Sequence, residues 1–508
     1  MSTSTTVGLR SERGPILLAL MLATALIALD ATILATAVPS IVDDLGGLTQ
    51  FPWLFSVYLL AQAVSVPVYA KLADTVGRKP VILFGIGLFL IGSILCGFAW
   101  SMGSLIAMRA LQGLGAGAVL PLTTTIAGDI YTVAERAKTQ GYIASVWAVS
   151  SVVGPTLGGV FSEFASWRWI FFINIPFCLL AGGMLWRNYD ESVERRKHRI
   201  DYAGAVVLTV ALTLLILAVL EGGQAWAWGS WQSVGAFAVG GVLLLVFGHI
   251  ERHAAEPILP LEIFSRRLIV ATCLISIGVG AVLVGLTSYV PTFLERSTGV
   301  SPIVAGLAVA ALTIGWPISA AQSGRLYLRI GFRPTALIGL VVASLGALAL
   351  WLSSATPNVW ATAGSSFVVG LGLGLVATPT LIAAQASVPW SERAVVTGTN
   401  MFMRSVGSAV GVAIFGAVAN AIIAANGGPT STSAVQAGSS AVFLAVLIAS
   451  VVTLLAGLLM PAVRAEGLEH DASVAADAEV ADAARVDAAS ADGARAGVAA
   501  DAAGRAAS

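Results

Sequence analysis

The chain has little charge, little histidine and little cysteine. Only 11% of its 508 residues are Asp, Glu, Lys or Arg, and 57% are hydrophobic, whereas about 25% of the residues of an ordinary soluble domain are charged. Too little polar surface remains to cover a water-soluble globule. The composition therefore excludes a soluble globular protein and predicts a polytopic membrane protein.

The scarcity of reactive residues excludes several function classes. Cys96, Cys178 and Cys273 fall inside apolar runs without disulfide or metal spacing, so we expect them to pack in the core. No nucleotide-binding motif, metal-ligand cluster or Ser/His/Asp set stands out, and the net charge is zero. We therefore expect no enzyme activity, no cofactor, no bound metal, no nucleic-acid partner and no obligate protein partner, with membrane lipids around the chain.

Fourteen apolar segments have the length of about 20 residues that a bilayer-spanning helix requires. An even count places both termini on one side. Seventeen Lys and Arg residues lie in the loops on that side, whereas the opposite loops carry only Arg168 and Arg296. Because cytoplasmic loops are rich in Lys and Arg, we expect both termini in the cytoplasm. The predicted spans begin near Ile16, Pro52, Val81, Ser104, Thr139, Arg168, Tyr202, Trp231, Leu268, Ile303, Pro334, Trp360, Gly398 and Ala441.

The sequence contains an internal repeat. Gly113 and Gly370 lie in matching Gly-rich segments 257 residues apart, and Gly77 and Gly331 lie in matching loops 254 residues apart. Parallel halves of this kind are typical of one large class of secondary transporter. The repeat predicts an all-α fold of 14 transmembrane helices arranged 6 + 2 + 6. Its predicted parts are a cytoplasmic tail (1–15), a six-helix bundle (16–187), two inserted helices with their loops (188–267), a second six-helix bundle (268–461) and a disordered Ala/Asp-rich cytoplasmic tail (462–508).

Two charged residues fall within predicted spans. Asp30 lies near the middle of the first apolar run, where a charge costs at least about 2.5–3.5 kcal/mol, so it indicates a role in carrying a proton or binding a cation. Arg109 shares one helix face with Gly113 and Gly117, which allow a neighbouring helix to come close. A buried guanidinium needs a partner, and Asp30 is the candidate. The alternatives are a structural carboxylate capped by hydroxyl or backbone groups and a permanent structural ion pair.

Two further motifs stand out, one in the loop that follows span 2 and one within span 5. The loop after span 2 contains Asp74, Gly77 and Arg78, in which Gly77 permits a tight turn and Arg78 suits an anionic membrane surface. A mere topology anchor would explain the basic residues but not the Asp/Gly spacing. Span 5 contains a Gly-Pro-x-x-Gly-Gly pattern made by Gly154, Pro155, Gly158 and Gly159. The alternative for this pattern is plain helix packing.

In their order along the chain, these motifs resemble the major facilitator superfamily and, within it, the fourteen-span drug:proton antiporter family. The resemblance covers nearly all of residues 16–461 and includes LDATILATAVP (29–39) and WRWIFFINIP (167–176). It implies that Asp30 exchanges protons, that Arg109 tunes this exchange, and that the span-5 motif marks an antiporter. It also implies that Asp74 helps to latch the two halves in one state. The second-half copy has Leu328 there, so such a latch is expected to depend on the first half alone.

Other candidate site residues are less specific. We expect Gln112, Trp147 and Trp316 to line a substrate cavity, in which the tryptophans could stack on a flat cation, although core filling explains them equally well. Arg404 lies near the predicted start of span 13 and is interpreted as an arginine that extends to the cytoplasmic surface.

The sequence thus predicts a multi-pass protein of the inner (cytoplasmic) membrane that exports amphipathic, cationic drugs or toxic compounds in exchange for protons, as in antibiotic resistance. The alternatives are a dedicated exporter of one endogenous metabolite, lipid or siderophore, a nutrient importer, and a non-transporting scaffold. The scaffold would leave Asp30 and Arg109 unexplained.

Overall fold

A computed structural model describes residues 8–46, 50, 53–191, 201–222, 226–227, 229–254, 257, 261–426 and 431–462. Within these ranges the protein is helical, and an isolated bridge between Gly222 and Trp226 is the sole β-pairing. Thirteen helices are long and apolar enough to cross a membrane, and a shorter apolar helix, Ala203–Val219, occupies the place of the predicted seventh span. The prediction of an all-α multi-pass membrane protein is confirmed, whereas the count of fourteen spans and their orientation stay predictions.

The first set of helices begins close to the N-terminus. The long helices of this set are apolar segments that end at turn residues, and a short helix precedes the last of them. The set consists of α1 (Gly14–Leu45), α2 (Trp53–Val76), α3 (Arg78–Gly97), α4 (Met102–Ile130), α5 (Val133–Phe164), α6 (Trp169–Phe172) and α7 (Asn174–Asn188).

A pair of helices and a second set complete the chain. The pair is α8 (Tyr202–Glu221) and α9 (Trp231–His253). The second set consists of α10 (Arg267–Thr298), α11 (Pro302–Ile330), α12 (Phe332–Ser353), α13 (Val359–Ala386), α14 (Arg393–Ala425) and α15 (Thr432–Leu458). Short 3₁₀ turns, Leu261–Ser265 and Trp390–Glu392, precede α10 and α14.

Several helices begin earlier than the apolar runs that predicted them. Helix α5 begins at Val133 rather than near Thr139, because the Thr132 hydroxyl accepts a hydrogen bond from the Glu135 amide and forms a capping box. Helix α15 likewise begins after Ser431, whose hydroxyl caps the Ala434 amide. Polar caps extend these helices beyond their membrane-spanning part, which hydropathy alone does not detect.

The two sets pack in the same pattern. In the first set α4 packs on α2 and α3, and α1 packs on α5 and α7; in the second set α13 packs on α11 and α12, and α10 packs on α14 and α15. Helices α8 and α9 pack on each other, and α8 also contacts α2 and α14. The division into 16–187, 188–267 and 268–461 remains a prediction that agrees with this pattern.

The repeated loop glycines have the same conformation. Gly77 joins α2 to α3 with φ 104°, and Gly331 joins α11 to α12 with φ 92°. Both values lie in the left-handed region that favours glycine, so any other residue would be strained there. The sequence prediction of a tight turn at Gly77 therefore agrees with the backbone.

The start of α1 and the finish of α15 lie at one end of the bundle, here called the terminal end. Arg13, just before α1, forms an ion pair of 3.2 Å with Glu135 at the start of α5. Arg267, at the start of α10, donates to the Leu459 carbonyl after α15 at 2.9 Å. Met460 and Val133 share one apolar cluster. The regions 1–7 and 463–508, which include part of the predicted N-terminal tail and nearly all of the predicted C-terminal tail, lie outside the described residues.

Candidate functional site

A buried ion pair joins α1 to α4. Arg109 Nη1 lies 2.7 Å from Asp30 Oδ2, and both side chains are 2% exposed. Gln112, one turn further along α4, closes a triangle: its Nε2 donates to Asp30 Oδ1 at 2.9 Å, and its Oε1 accepts from Arg109 Nη1 at 2.7 Å. The structure thus brings together Asp30, Arg109 and Gln112, which we call the polar centre.

Helix α2 holds the guanidinium of Arg109 from another side. Arg109 Nε donates to the Leu54 carbonyl at 3.2 Å, and its Cζ lies 4.1 Å from the centroid of the Tyr58 ring. The Tyr58 hydroxyl is buried and has no hydrogen-bond partner within the described residues. Gly113 allows this approach, since a Cβ there would overlap the Tyr58 carbonyl oxygen. The arginine is therefore fixed by backbone, ring and carboxylate together.

A second layer of polar groups backs the polar centre. Gln112 Nε2 lies 3.4 Å from the Ser93 hydroxyl, which donates to the Phe171 carbonyl at 2.9 Å. Asn174 Nδ2 donates to the same hydroxyl at 3.0 Å. These bonds connect α3, α4 and the α6–α7 junction to the polar centre.

The three side chains of the polar centre hold one another in place, because each one supplies a hydrogen-bond donor or acceptor to the other two. A buried ion pair is costly to desolvate, and it persists only where further hydrogen bonds satisfy the remaining polar atoms. A proton on Asp30 would neutralise the carboxylate and leave Arg109 with fewer acceptors, so the arrangement can couple protonation to a change in helix contacts.

The span-5 motif lies where α5 crosses α1. A Cβ at Gly154 would overlap the Thr32 hydroxyl, which donates to the Ser150 carbonyl at 3.1 Å. Gly158 is buried, whereas nothing lies within 4 Å of a Cβ built at Gly159. The side chain of Pro155 lies outside the described part of the structure. Close packing of α5 on α1, near Asp30, therefore depends on Gly154.

A second charged cluster joins the two helix sets at the terminal end. Asp74 lies 2.8 Å from Arg78, and Arg78 Nε lies 3.1 Å from Asp129. Asp74 accepts hydrogen bonds from the amides of Ala394 and Val395 at the start of α14, at 3.2 and 2.8 Å. A carboxylate at a helix N-terminus is stabilised by the orphan amides and the helix dipole.

Side chains of the second set complete this cluster. Arg393 Nη1 lies 3.2 Å from Asp129 Oδ1, and the Arg78 guanidinium stacks over the Trp390 ring at 3.4 Å. Asp74 and Asp129 both come from the first set, and the dependence of a latch on the first half alone stays a prediction. The second set nevertheless contributes backbone amides, an arginine and a tryptophan.

Further contacts between the sets lie at the same end. Gln385 Nε2 on α13 donates to the Thr124 carbonyl on α4 at 3.4 Å, and the Tyr327 hydroxyl on α11 donates to the Val133 carbonyl at 2.8 Å. Gly398 on α14 contacts Ala70 on α2. The described conformation is therefore closed between the sets at the terminal end.

The predicted substrate-cavity residues do not meet in one place. Gln112 is fully buried within the polar centre, Trp316 packs against the core of the second set, and the Trp147 side chain is 38% exposed. Arg404 is partly buried within α14. These positions leave the cavity assignment of Gln112, Trp147 and Trp316 as a prediction.

Sequence reasoning missed several residues of the two clusters. Asn174 lies in the WRWIFFINIP segment, from which no site residue was predicted, and Tyr58 and Ser93 belong to no recognisable motif. Asp129 and Trp390 could have been suspected, because each lies beside a repeated Glu-Arg-Ala segment, at Glu135 and Glu392. Their contacts nevertheless depend on how the sets meet.

Comparison with protein families identifies one match over most of the chain. The family model described as "Major Facilitator Superfamily" matches residues 20–412.

Curated relatives and a solved structure agree with this match. The chain is 35% identical to "Multidrug transporter protein MdtP" of Bacillus subtilis (strain 168) over 414 residues, which cover 82% of this chain and 76% of the relative. It is 36% identical to "Multidrug resistance protein 3" of the same organism, over 82% of this chain and 81% of the relative. The human organic anion transporter MFSD10 (TETRAN) shares the fold, with a TM-score of 0.61 at 17% identity over 89% of this chain and 99% of that one.

Proposed function

Because the chain belongs to the major facilitator superfamily, we propose that it exports amphipathic small molecules in exchange for protons. The observation that carries the proton coupling is the polar centre: Asp30 is buried and held by Arg109 at 2.7 Å and by Gln112 at 2.9 Å. The relatives named as multidrug transporters support export of drugs or toxic compounds.

In this mechanism a proton competes with Arg109 for Asp30. The carboxylate is paired in the described conformation, which is closed at the terminal end. Protonation of Asp30 removes the charge that holds Arg109, and the contacts of Arg109 with α2, at Leu54 and Tyr58, loosen. Helix α2 also carries Asp74 of the terminal cluster, so a shift of α2 links the polar centre to closure of the terminal end.

Alternating access would then consist of the two sets rocking against each other. Opening the terminal end breaks the bonds from Asp74 to the start of α14 and from Asp129 to Arg393. The close α1–α5 crossing at Gly154 keeps the first set rigid during this motion. With fourteen spans and cytoplasmic termini in the inner membrane, the terminal end would face the cytoplasm, and the described conformation would be closed towards the cytoplasm.

The substrates in this proposal are amphipathic drugs or toxic compounds, with cations as the predicted class. A dedicated exporter of one endogenous metabolite, lipid or siderophore would use the same polar centre with a narrower substrate range. Uptake of a nutrient would require the reverse direction, and the multidrug transporters among the relatives do not favour it.

The experiment uses purified protein in liposomes with a pH-sensitive dye trapped inside. Addition of an ethidium-like cation to the wild type is expected to cause proton movement. Asp30→Asn is expected to abolish this movement, because a side-chain amide cannot take up and release a proton as the carboxylate does. Asp43→Asn is the matched control, since Asp43 is an exposed acid on the same helix.

The outcomes separate the alternatives. Proton movement that needs both the cation and Asp30 supports exchange. Unchanged proton movement in a folded Asp30→Asn protein removes Asp30 from the mechanism. Silence of the wild type over a broad panel of cations and amphipathic acids contradicts drug export and favours a single endogenous substrate or uptake.

A further inference from the structure

The second set contains a buried side-chain amide whose N–H donor lacks an acceptor within the described residues. Asn400 on α14 is 6% exposed, and its Oδ1 accepts a hydrogen bond of 2.7 Å from the Ser276 hydroxyl on α10. Its Nδ2 has no hydrogen-bond partner within the described residues. A buried donor without an acceptor is costly, so this group indicates a missing acceptor.

Arg404 lies one helical turn beyond Asn400, on the same face of α14. This face packs against the interior of the second set: Thr397 contacts Gln385 of α13, and Ser408 donates to the Gly280 carbonyl of α10 at 3.1 Å. Arg404 is partly buried, and no hydrogen bond or ion pair joins its guanidinium to another residue in the described part of the chain. The interpretation as an arginine that reaches the surface is less favoured, because Arg404 lies eleven residues, or about 16 Å, from the start of α14.

No ion pair joins this arginine to a carboxylate among the residues that the structure describes. Glu295 is the sole acid in helices α10–α15, and it lies fifteen residues, or about 22 Å along α10, from Gly280, which adjoins Arg404. The one acid in the middle of the first set, Asp30, is already paired with Arg109. Within the described residues, the Arg404 guanidinium and the Asn400 Nδ2 donor thus lack acceptors in the interior of the second set, and an anion would satisfy both.

We propose that Arg404 and Asn400 form an anion-binding subsite that receives the acidic group, a carboxylate or sulfonate, of the exported molecule. This inference rests on the proposed export function and extends its substrates from the predicted cations to amphipathic zwitterions and acids. The guanidinium supplies charge and directional donors, and the Asn400 amide supplies a further donor one turn away. Ser276 holds the other end of that amide and so orients Nδ2.

The test measures binding rather than transport, in nanodiscs of phosphatidylcholine. Two fluorescent probes are titrated: 8-anilinonaphthalene-1-sulfonate, and N-phenyl-1-naphthylamine, which lacks only the sulfonate. For Arg404→Gln we expect the Kd of the sulfonate probe to rise about tenfold or more, because a charge-assisted hydrogen bond is lost. The Kd of the neutral probe should change less than about twofold. Arg404→Lys, which keeps the charge but loses the planar fork, should give an intermediate Kd.

Control variants test whether the change in Kd belongs to this subsite. Arg325→Gln removes an exposed arginine of α11 and should leave both Kd values unchanged. Retained binding of the neutral probe shows that Arg404→Gln is folded; where it does not fold, Asn400→Ala, which keeps the charge, should still weaken sulfonate binding several-fold. An unchanged sulfonate Kd in folded Arg404→Gln overturns the proposal.

Two further results distinguish this proposal from lipid binding at Arg404 and from the proposed export function. If Arg404 instead holds the headgroup of a lipid with a net negative charge, sulfonate binding in zwitterionic phosphatidylcholine will not depend on Arg404. Added phosphatidylglycerol will then stabilise only proteins that retain Arg404, and that result overturns the subsite. Failure of proton exchange in liposomes would contradict the proposed function without touching this binding result. Normal proton exchange with Arg404-independent sulfonate binding would contradict only the subsite.

Discussion

The two helix sets share their packing but differ in their charges. Gly113 and Gly370, 257 residues apart, both lie against backbone: a Cβ at Gly113 would overlap the Tyr58 carbonyl oxygen, and one at Gly370 would overlap the Leu312 carbonyl oxygen. At the same offset, however, Arg109 and Gln112 correspond to Ser366 and Val369. The second set retains the glycines of the repeat and lacks its polar centre.

This difference shows that both helix sets need close helix packing, whereas one set alone has a polar centre. Close helix crossings depend on small residues wherever the helices meet, so the glycines are needed twice. A buried ion pair is costly to desolvate, and one such centre suffices to couple a proton to helix movement. The second set has instead the Arg404 guanidinium and the Asn400 Nδ2 donor, which lack acceptors within the described residues and suit a ligand rather than an internal partner. The contrast predicts that equivalent substitutions will have unequal effects.

The largest contrast is expected between Arg109→Leu and Ser366→Ala. Arg109→Leu leaves Asp30 buried without its cation and should lower the free energy of unfolding by about 3 kcal/mol, because breaking a buried pair from one side is strongly destabilising. Ser366→Ala removes a hydroxyl that has no hydrogen-bond partner within the described residues and should cost less than about 1 kcal/mol. Thermal unfolding in detergent measures the stability of both variants. The double variant Arg109→Leu with Asp30→Asn should recover part of the lost free energy of unfolding, because it no longer buries an unpaired carboxylate. Equal effects of the two single variants would contradict the asymmetry.

A smaller contrast is expected at the terminal end, between Asp74→Asn and Leu328→Asn. Asp74 binds the amides of Ala394 and Val395, whereas Leu328, its counterpart at the 254-residue offset, is 44% exposed. Loss of the Asp74 charge should shift the population towards the open terminal end about tenfold, since charge-assisted hydrogen bonds are worth about 1.5–3 kcal/mol.

A thiol probe measures this opening. Thr124→Cys places a thiol where Gln385 crosses to the first set, and the native cysteines are buried. Labelling by a water-soluble reagent should become about tenfold faster with Asp74→Asn and stay unchanged with Leu328→Asn. An unchanged rate in both would remove Asp74 from the latch.

The smallest contrast is expected at the outer end of α1, beyond its apolar part. Hydrogen bonds from Arg168 at 2.7 Å and Trp167 at 3.0 Å hold the pKa of Asp44 below its usual value. The second set has Ala425 at the position of Arg168. Because the folded pKa is lowered, this stabilisation is present above the unfolded pKa of about 3.9 and is lost as pH falls through the folded value.

Asp44→Asn should therefore lower the free energy of unfolding by only about 0.5 kcal/mol at neutral pH, as the Asp44 side chain is 47% exposed and screened by solvent. Melting temperatures of the wild type and the variant should begin to converge as pH falls below the unfolded pKa of about 3.9, and should meet below the lower folded pKa. If the difference between the two melting temperatures grows on acidification, the pKa of Asp44 is not lowered by folding, and the prediction is wrong.

Much of the fold was predictable because hydropathy and repeats are properties of the chain itself. The apolar runs indicated the membrane helices, and the offset of 254 residues matched Gly77 to Gly331, which have the same left-handed backbone. Helix starts were predicted less well, as at Val133, because capping hydroxyls extend helices beyond the apolar run.

The candidate site was predicted in part. Asp30 and Arg109 stood out as charges inside apolar helices, and their predicted contact is present at 2.7 Å. Tyr58, Asn174 and Trp390 were not predicted, since each belongs to its cluster only through packing between helices far apart in sequence.

The sequence by itself determined that this protein spans membranes, belongs to one superfamily and carries one acid in the middle of its first span. Those features depend on composition and local spacing, which any fold of the chain retains. Tertiary structure alone decided that Gln112 bridges Asp30 and Arg109 and that Asp74 caps α14 of the other set. It also decided that Arg404 has no hydrogen-bond or ion-pair partner in the described part of the chain. A charge buried between helices acquires its role from the groups that other helices bring within hydrogen-bond distance, and no pattern along the chain specifies which groups these are.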